Sequence, residues 1–440
     1  MNATSRRLLK SRNQTILIGL ICFAIPGMYI ALNTMGGGGQ IDSSVASKAN
    51  TALYAMFAIF GFFGGGIINL FGVRIPLFLS GLTFVLYTGS YIYYNATFKP
   101  FFTIFSGGIL GIGAAVLWTG QGMMVTSYPL EKEKGHFISI FWILFSLGGV
   151  IGSIIPLAVG LGDKPLPNSG YAAFMIIQTI GSFMCFILVP PHKVIRSDNT
   201  NVIVESKQNT LNEIVEVLKL FKNKHMIYFS LIGFTSNFFY SYIFNHYNLP
   251  NFSADSRGFN NLIYYISGII GSYLIGFLLD FKTSRKRKAY ISSIGIWCLF
   301  NIMWALTYIQ QRKMKTRREN TNFNFFNYKT SGVSYIWPCM IFAIFGLLDA
   351  FYQNYLYWII GSFSNNSTIL SRYIGFCKFL QSVGAAISWA IDAGKMEPNT
   401  QLFINWGMIV LTLPGMIMLS KNTKESSEPS LSSEKDVECD

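Results

Sequence analysis

Charged residues are scarce in this chain. Asp, Glu, Lys and Arg together make up 12% of its 440 residues, about half the ~25% of a typical soluble domain. Hydrophobic residues make up 51% and aromatic residues 16%. A soluble core could not bury so many apolar side chains, and the rest would form large exposed apolar patches. The composition therefore excludes a soluble enzyme and indicates that lipid is the solvent for most of the chain.

Cysteine and histidine are also few, and neither is clustered. The six cysteines form no Cys-x-x-Cys pair, and the four histidines lack metal-ligand spacing. We therefore predict no disulfide framework, no metal and no cofactor. No group of His, Cys or carboxylate residues has catalytic spacing, and the glycine run 36–39 lacks the strand and lysine of a phosphate-binding loop. The sequence thus predicts a protein that is not an enzyme.

The formal net charge is +14. Its basic residues are scattered between apolar segments, which favours the lipid bilayer as partner and predicts no nucleic-acid surface. A spanning helix needs about 20 mostly apolar residues. Twelve segments qualify: 15–35, 51–70, 75–94, 102–124, 137–159, 171–189, 226–244, 261–279, 289–308, 335–360, 369–391 and 402–419. Segment 226–244 is the weakest, because it is rich in Tyr and Asn.

One long polar connection separates the sixth and seventh segments, so we predict an all-α membrane protein of two six-helix halves. The predicted units are a cytoplasmic N-terminus 1–13, a first bundle 14–190, a cytoplasmic linker 191–225, a second bundle 226–420 and a disordered cytoplasmic tail 421–440. The linker contains apolar residues at helical spacing, with Glu213, Glu216 and Lys219 between them. They predict a helix on the membrane surface or on the loops: Leu211, Ile214, Val215, Leu218 and Phe221.

The distribution of Lys and Arg predicts the orientation. With the N-terminus in the cytoplasm, cytoplasmic segments carry about twice as many basic residues as exterior loops. The segment 309–332 opposes this assignment, since it places a strongly basic loop outside. Both termini are therefore predicted to be cytoplasmic. The sequence leaves the compartment open among plasma membrane, vacuole and endomembrane.

A short pattern recurs after the second and the eighth segment: Gly65, Asn69 and Arg74 in the first copy correspond to Gly276, Asp280 and Arg285 in the second. It resembles the Gly-x-Leu-x-Asp…Gly-Arg-Arg motif of the major facilitator superfamily, whose halves are parallel repeats. The glycine lets two helices approach, and the acid can accept hydrogen bonds from a neighbouring helix N-terminus. The first copy has Asn where the motif has Asp. The predicted gating positions are Gly65, Asn69, Gly72 and Arg74 in the first copy, and Gly276, Asp280 and Arg285 in the second.

Asp349 is the one acid well inside an apolar segment, and Lys378 is the one base at comparable depth. An unpaired carboxylate in the membrane interior costs several kcal/mol. Both residues lie near the middle of antiparallel neighbouring helices, so we expect them to pair. The pair can serve as a gate or coupling-ion site, or it can simply fix the packing.

Uncharged polar residues add to this pair. Polar side chains in lipid should turn toward a cavity or another helix, and by resemblance the first, fourth, seventh and tenth helices of a facilitator line its central path. These residues predict a polar, largely uncharged path, with amide-rich packing as the alternative: Asn33, Trp118, Gln121, Asn237, Tyr240, Gln353 and Gln381. Glycine pairs four residues apart on the second, fourth and fifth helices predict close packing or sliding surfaces.

An ordered set of local patterns carries a more specific resemblance. They lie at 31–42, 113–131, 141–153, 236–264, 346–358 and 375–389. Together they resemble the uncoordinated-ninety-three family, the ion-channel regulatory branch of the major facilitator superfamily, and its fungal members most closely. The resemblance implies the facilitator fold. It leaves two functions open: a secondary transporter of a small solute or ion that works by alternating access, or a transport-inactive regulator or trafficking partner of another membrane protein such as an ion channel.

Overall fold

The computed structural model describes residues 7–34, 37–40, 44–159, 166–204, 210–319, 325–394 and 396–425. Twelve helical segments follow the twelve apolar segments of the sequence. They are α1 (Ser11–Thr34), α2 (Ser44–Phe71), α3 (Arg74–Thr97), α4 (Phe101–Ser127), α5 (Lys134–Val159), α6 (Asn168–Met184), α7 (Lys224–Thr235), α8 (Ala254–Asp280), α9 (Arg285–Glu319), α10 (Val333–Gly361), α11 (Ser367–Ala393) and α12 (Pro398–Asn422). The predicted all-α fold is confirmed.

The seventh segment is the irregular one. Within the described residues, eleven helices are long and apolar enough to cross a membrane, and α7 is not among them. The α-helix ends at Thr235, and after a turn the chain forms a π-helix over Tyr242–Asn248. Side chains replace the lost backbone partners: Ser388 donates to the carbonyl of Phe238 at 2.5 Å. Irregular backbone at membrane depth is tolerated where such partners exist.

The two halves meet along two helix pairs, α2 with α11 and α5 with α8. Glycines bring the backbones together in both pairs. A methyl group added at Gly65 would lie 2.7 Å from the carbonyl oxygen of Ser371, and one added at Gly276 would lie 2.5 Å from Cβ of Ser139. The two motif glycines therefore occupy equivalent positions in the two interfaces, as the repeated pattern predicts.

The other predicted glycine pairs act within the first half. Gly107 and Gly111 of α4 face backbone atoms of α2, and Gly148 of α5 faces the carbonyl of Phe23 on α1 at 2.5 Å. These are the close approaches expected of small residues four apart. The prediction of packing surfaces is confirmed, and sliding along them stays a prediction.

Residues 7–10 and 421–425 lie at one end of the bundle, which we call the terminal end; the opposite end is the far end. Lys10 pairs with Ile195 of the linker, and the carboxylate of Glu425 accepts from the backbone N–H of Arg285 at 2.8 Å. The first residues of the predicted tail are thus bound to the start of α9. The remaining tail, 426–440, lies outside the described residues.

Helix α9 corrects the predicted exterior loop 309–332. The helix continues to Glu319. Its 35 residues span about 52 Å at 1.5 Å per residue, well beyond the ~30 Å hydrocarbon core. Arg312 and its basic neighbours therefore lie on a helix that projects beyond the apolar core. The guanidinium of Arg312 lies 6.0 Å from the ring of Tyr308.

The linker helix, Thr210–Lys219, packs on the bundle through Glu213. Glu213 and Val217 are buried against the bundle, whereas an apolar row faces outward. Glu213 is buried because Arg372 and Asn69 supply its partners. The exposed row consists of Ile214, Val215, Leu218 and Phe221; the side chain of Leu211 lies outside the described residues.

Candidate functional site

A small cavity of about 60 Å³ lies between the two halves. Six of the helices and the segment that follows α7 contribute to its wall, and both halves supply polar groups. Six of the nine predicted path residues line it: Trp118, Asn237, Tyr240, Gln353, Lys378 and Gln381. A buried water needs roughly 10–15 Å³ of cavity volume, so the site has room for about four to six water molecules. The site can therefore enclose a solute of only a few heavy atoms in this state.

The expected direct contact between Asp349 and Lys378 is not present. No ion pair within 4.0 Å joins these two residues, both of which are described. Two glutamine amides connect them instead. Lys378 Nζ donates to Gln381 Oε1 at 2.7 Å, Gln381 Nε2 donates to Gln353 Oε1 at 3.0 Å, and Gln353 Nε2 donates to Asp349 Oδ1 at 3.3 Å. We call these three consecutive hydrogen bonds the amide relay.

The charges at its ends fix the direction of the relay. An ammonium can only donate, so Gln381 must turn its oxygen toward Lys378. A carboxylate can only accept, so Gln353 must turn its nitrogen toward Asp349. The two amide dipoles then align from cation to anion, and each bond polarises the next. The relay therefore connects two buried charges that form no direct ion pair.

Aromatic rings cover the cationic end of the relay. Lys378 Nζ lies 4.8 Å from the ring centre of Trp118 and 5.0 Å from that of Tyr357. Such contacts stabilise a cation by about 0.5–2 kcal/mol, most when water is excluded. Gln121, predicted for the path, lies behind this cluster and donates to the hydroxyl of Tyr357.

Tyrosine hydroxyls hold the anionic end. Tyr240 donates to Asp349 Oδ1 at 2.8 Å, and Tyr264 donates to Oδ2 at 3.2 Å. With Gln353 they give the carboxylate three donors, which compensates its removal from water. Tyr264 was not among the predicted site residues. The sequence does not identify Tyr264 as a site residue, because a tyrosine in an apolar helix usually packs in the core or at an interface.

Asn33 lies apart from the other predicted path residues. Its side-chain oxygen accepts from Asn50, whose own oxygen accepts from the hydroxyl of Tyr29. Tyr29 lines the cavity. Asn33 is therefore connected to the site through two other side chains and does not line it.

The two motif copies make different contacts at the terminal end, because the first has Asn69 where the second has Asp280. Asp280 accepts from the backbone N–H groups of Gly135 and His136 at 2.9 and 2.6 Å, at the N-terminus of α5. This is the helix-terminus contact that the motif predicts. Asn69 instead donates to Glu213 at 2.8 Å and accepts from Ser371 at 2.9 Å. The linker thus supplies the carboxylate that the first copy lacks.

Glu213 also binds Arg372 on α11 through two hydrogen bonds of 2.9 and 2.6 Å. Burial alone would raise the pKa of Glu213, but the bonds from Arg372 and Asn69 outweigh it and hold this pKa below its usual value. The other predicted gating residues pack locally. Arg74 donates to the carbonyl of Leu188, and Gly72 has a left-handed φ of 76°.

A buried lysine was missed by the sequence analysis. Lys134, 2% exposed, donates to the carbonyl groups of Gly361 and Ser364 and to the side chain of Asn365 at the C-terminus of α10. A cation is favoured at this end of a helix. Arg285, the last predicted gating residue, lies 3.0 Å from Glu131 in the same cluster. Lys134 reads as an ordinary loop lysine in the sequence, because only the fold brings α10 beside it.

The comparisons with known proteins agree with this architecture. Residues 38–419 match the family model "Ion channel regulatory protein UNC-93". UNC93-like protein 1 of Arabidopsis thaliana is 38% identical over 92% of this chain and 89% of its own length. An UNC93-like protein of Schizosaccharomyces pombe is 37% identical over 94% of this chain and 84% of its own length.

A solved structure shows the same fold at low identity. The proton:xylose symporter XylE of the major facilitator superfamily, bound to 6-bromo-6-deoxy-D-glucose, aligns with a TM-score of 0.66 and 14% identity, over 96% of this chain and 98% of its own. The predicted fold of two six-helix bundles is therefore confirmed, and so is the family resemblance. The chain is a multi-pass membrane protein with the major facilitator fold, and it belongs to the UNC-93 family.

Proposed function

We propose that this protein is a secondary transporter of a small solute or ion that works by alternating access. The supporting observation is the amide relay beside a cavity that both halves line. A pair of buried charges is costly in the membrane interior and marks functional sites there. The relay shares its residues with the cavity wall, so a bound solute would act directly on the groups that hold the two charges.

The arrangement of the halves supports the same proposal. Polar contacts between the halves close both ends of the bundle. At the terminal end Lys134 binds the end of α10, and at the far end Ser47 of α2 donates to Asp392 of α11 at 3.1 Å. A transporter passes through such an occluded arrangement between its two open states.

Uptake measurements test the proposal. Cells that lack or overproduce the chain are supplied with radiolabelled metabolites, anions and cations. We expect overproduction to raise the uptake of at least one solute, and Asp349→Asn to abolish that uptake while the amount of folded protein persists. Asp255→Asn is the matched control, because Asp255 lies at the far end in a weak contact of 3.9 Å with Lys329. Uptake that is identical with and without the chain contradicts transport.

A second function, regulation of another membrane protein, is favoured by one observation. An apolar groove of about 390 Å³ lies among α2, α3 and α4, with Phe71, Ile75 and Leu79 in its wall. An outward apolar groove suits a partner helix, and the family model is described as ion channel regulatory. If the chain is a regulator, its presence should change whole-cell currents; Thr83→Leu in the groove should abolish that change, and Asp349→Asn should not. If the chain is a transporter, Asp349→Asn should abolish its activity and Thr83→Leu should not.

The topology remains part of this proposal. We place the terminal end, with both chain termini, in the cytoplasm, because that side carries the excess of Lys and Arg. The divisions at 13, 190, 225 and 420 are proposed with it. Fluorescent or glycosylatable tags at each terminus and in segment 320–332 test this orientation.

A further inference from the structure

We propose that the central cavity binds a small monovalent anion, either an inorganic anion or a short carboxylate. This inference rests on the proposed transport function and names its substrate class. It follows from a surplus of hydrogen-bond donors in the cavity wall, which the direction of the amide relay creates. A carboxylate and an inorganic anion share the relevant chemistry, one negative charge and several acceptor sites.

Every amide oxygen in the cavity wall already accepts a hydrogen bond. The wall contains three amide side chains, Asn237, Gln353 and Gln381. Each of their oxygens accepts a hydrogen bond, from Gln353 at 3.0 Å, Gln381 at 3.0 Å and Lys378 at 2.7 Å respectively. Each amide oxygen of the described wall therefore already accepts one hydrogen bond, which leaves one lone pair on each for a donor from a ligand.

The same relay leaves donors unused. Gln353 must present its nitrogen to Asp349, so Asn237 must present its oxygen to Gln353. The NH₂ group of Asn237 then points away from the relay. Within the described part of the chain this group has no acceptor, and Lys378 has a single acceptor for its three N–H groups. Both side chains line the cavity.

Two further donors belong to the same wall. The indole N–H of Trp142 and the hydroxyl of Ser382 are buried, and neither has a hydrogen-bond partner among the described residues. Trp142 also contacts the rings that cover Lys378, at 6.0 Å from Trp118 and 5.6 Å from Tyr357 between ring centres. A buried donor without a partner is unfavourable, so a ligand whose acceptor reached either group would satisfy it.

Charge and size narrow the ligand class. Lys378 is the one charged side chain in the described wall of the cavity, and Asp349 lies behind Tyr240 and Gln353 with its donors already supplied. A cation would be repelled by the ammonium, and every amide oxygen that it met would already accept a hydrogen bond. An anion would be attracted to the ammonium and the free NH₂ group. The 60 Å³ cavity limits it to a few heavy atoms.

Binding to the purified full-length chain tests the inference without requiring transport. Two tryptophans line the cavity, so intrinsic fluorescence is recorded in detergent during titration with sodium acetate, sodium nitrate and sodium chloride. Sodium gluconate at equal ionic strength serves as a carboxylate too large for the cavity. We expect a saturable change with at least one small anion, and none with gluconate, glycerol or tetramethylammonium. The pattern across the three salts separates a carboxylate preference from an inorganic one.

Three variants assign the response to the site. Asn237→Asp keeps the acceptor for Gln353 but replaces the free NH₂ group by a carboxylate oxygen, so anion binding should weaken by about tenfold or more. Lys378→Met should weaken it similarly, provided that the variant is folded. Asn422→Asp is the matched control, since it makes the same charge change at the exposed end of α12.

The possible results separate this inference from the proposed function. Saturable anion binding that Asn237→Asp weakens, with no uptake of any solute, would uphold the site and refute transport. Solute uptake that depends on Asp349, with no anion response of the folded wild-type chain, would uphold transport and refute the anion site. A response equal in wild type and Asn237→Asp, or a saturable response to neutral or cationic solutes, would also overturn it.

Discussion

At the scale of single residues, the buried ions of this protein are stabilised by neutral amides and aromatic rings. Lys378 and Asp349 lie on neighbouring antiparallel helices, yet Gln381 and Gln353 separate them. A direct buried pair often fails to repay the removal of both charges from water. Spreading the interaction over three hydrogen bonds satisfies each ion locally and leaves Lys378 in the cavity wall.

The first prediction concerns the centre of the relay. Gln353→Leu removes one donor from Asp349 and the acceptor of Gln381, so we expect the free energy of unfolding to fall by about 1–3 kcal/mol. Gln178→Leu is the matched control, because Gln178 is equally buried but neither of its amide atoms has a partner in the described chain. That change should be neutral or stabilising. Thermal unfolding in detergent measures both, and equal losses of stability would argue against the relay.

At the scale of elements, the linker helix replaces a missing charge. Asn69 stands where the motif of the second half has Asp280, and Glu213 brings a carboxylate to the same interface from outside the membrane bundle. Glu213 contacts α2 through Asn69 and α11 through Arg372. One side chain of the linker thus connects the first half to the second.

The second prediction follows from this contact. Glu213→Gln loses a charge-assisted double hydrogen bond, so stability should fall by about 1.5–3 kcal/mol. Glu216→Gln is the control: Glu216 is 35% exposed, pairs with Lys219 at 2.6 Å and lies 4.0 Å from Arg372, so its loss should cost about 0–1 kcal/mol. Thermal unfolding of each variant in detergent gives the comparison. If Glu213→Gln and Glu216→Gln behave alike, the linker does not connect the halves.

The third prediction concerns the pH dependence of the same contact. The pKa of Glu213 is lowered in the folded chain. Its contribution is therefore complete above the ordinary glutamate pKa and is lost as the pH falls through the lower folded-state value. On acidification the wild type should lose its stability advantage over Glu213→Gln. A difference that stays constant from neutral pH to below pH ~4 would contradict this.

At the scale of the whole molecule, polar contacts at both ends hold the halves closed. At the far end Asp392 accepts from Ser47 at 3.1 Å and from Asn245 at 2.7 Å, and it lies 2.7 Å from His246. At the terminal end Lys134 and Asp280 each bind the end of a helix from the other half. In the proposed alternating access, opening either end breaks one of these clusters.

The fourth prediction uses the far end. Asp392→Asn weakens the charge-assisted contacts, and a loss of about 1.4 kcal/mol shifts the opening equilibrium about tenfold. A cysteine introduced in the cavity, Ser382→Cys, should then react about tenfold faster with an impermeant thiol reagent added from the far side. Asp255→Asn is the control, because its pair with Lys329 lies within one half. Unchanged labelling would show that this cluster does not close the far end.

The sequence alone was sufficient to find the helices and the family, and it predicts the depth of the buried charges. Apolar segments of about 20 residues have one stable arrangement in lipid, because each must satisfy its own backbone hydrogen bonds. After Thr235 the regular α-helix ends and side chains bond to some of the backbone groups. This is the seventh segment, which is also the least apolar of the twelve in the sequence. The length of α9 was missed because a polar helix outside the bilayer resembles a loop.

Only the tertiary structure decided which polar groups meet. Periodicity places Asp349 and Lys378 at similar depth, but it does not show that Gln353 and Gln381 stand between them. It also gives the linker helix an apolar face without showing that Glu213 turns inward to Arg372. Such contacts depend on the rotation and separation of packed helices. Residues far apart in the chain set both quantities, so neither is encoded in any single segment.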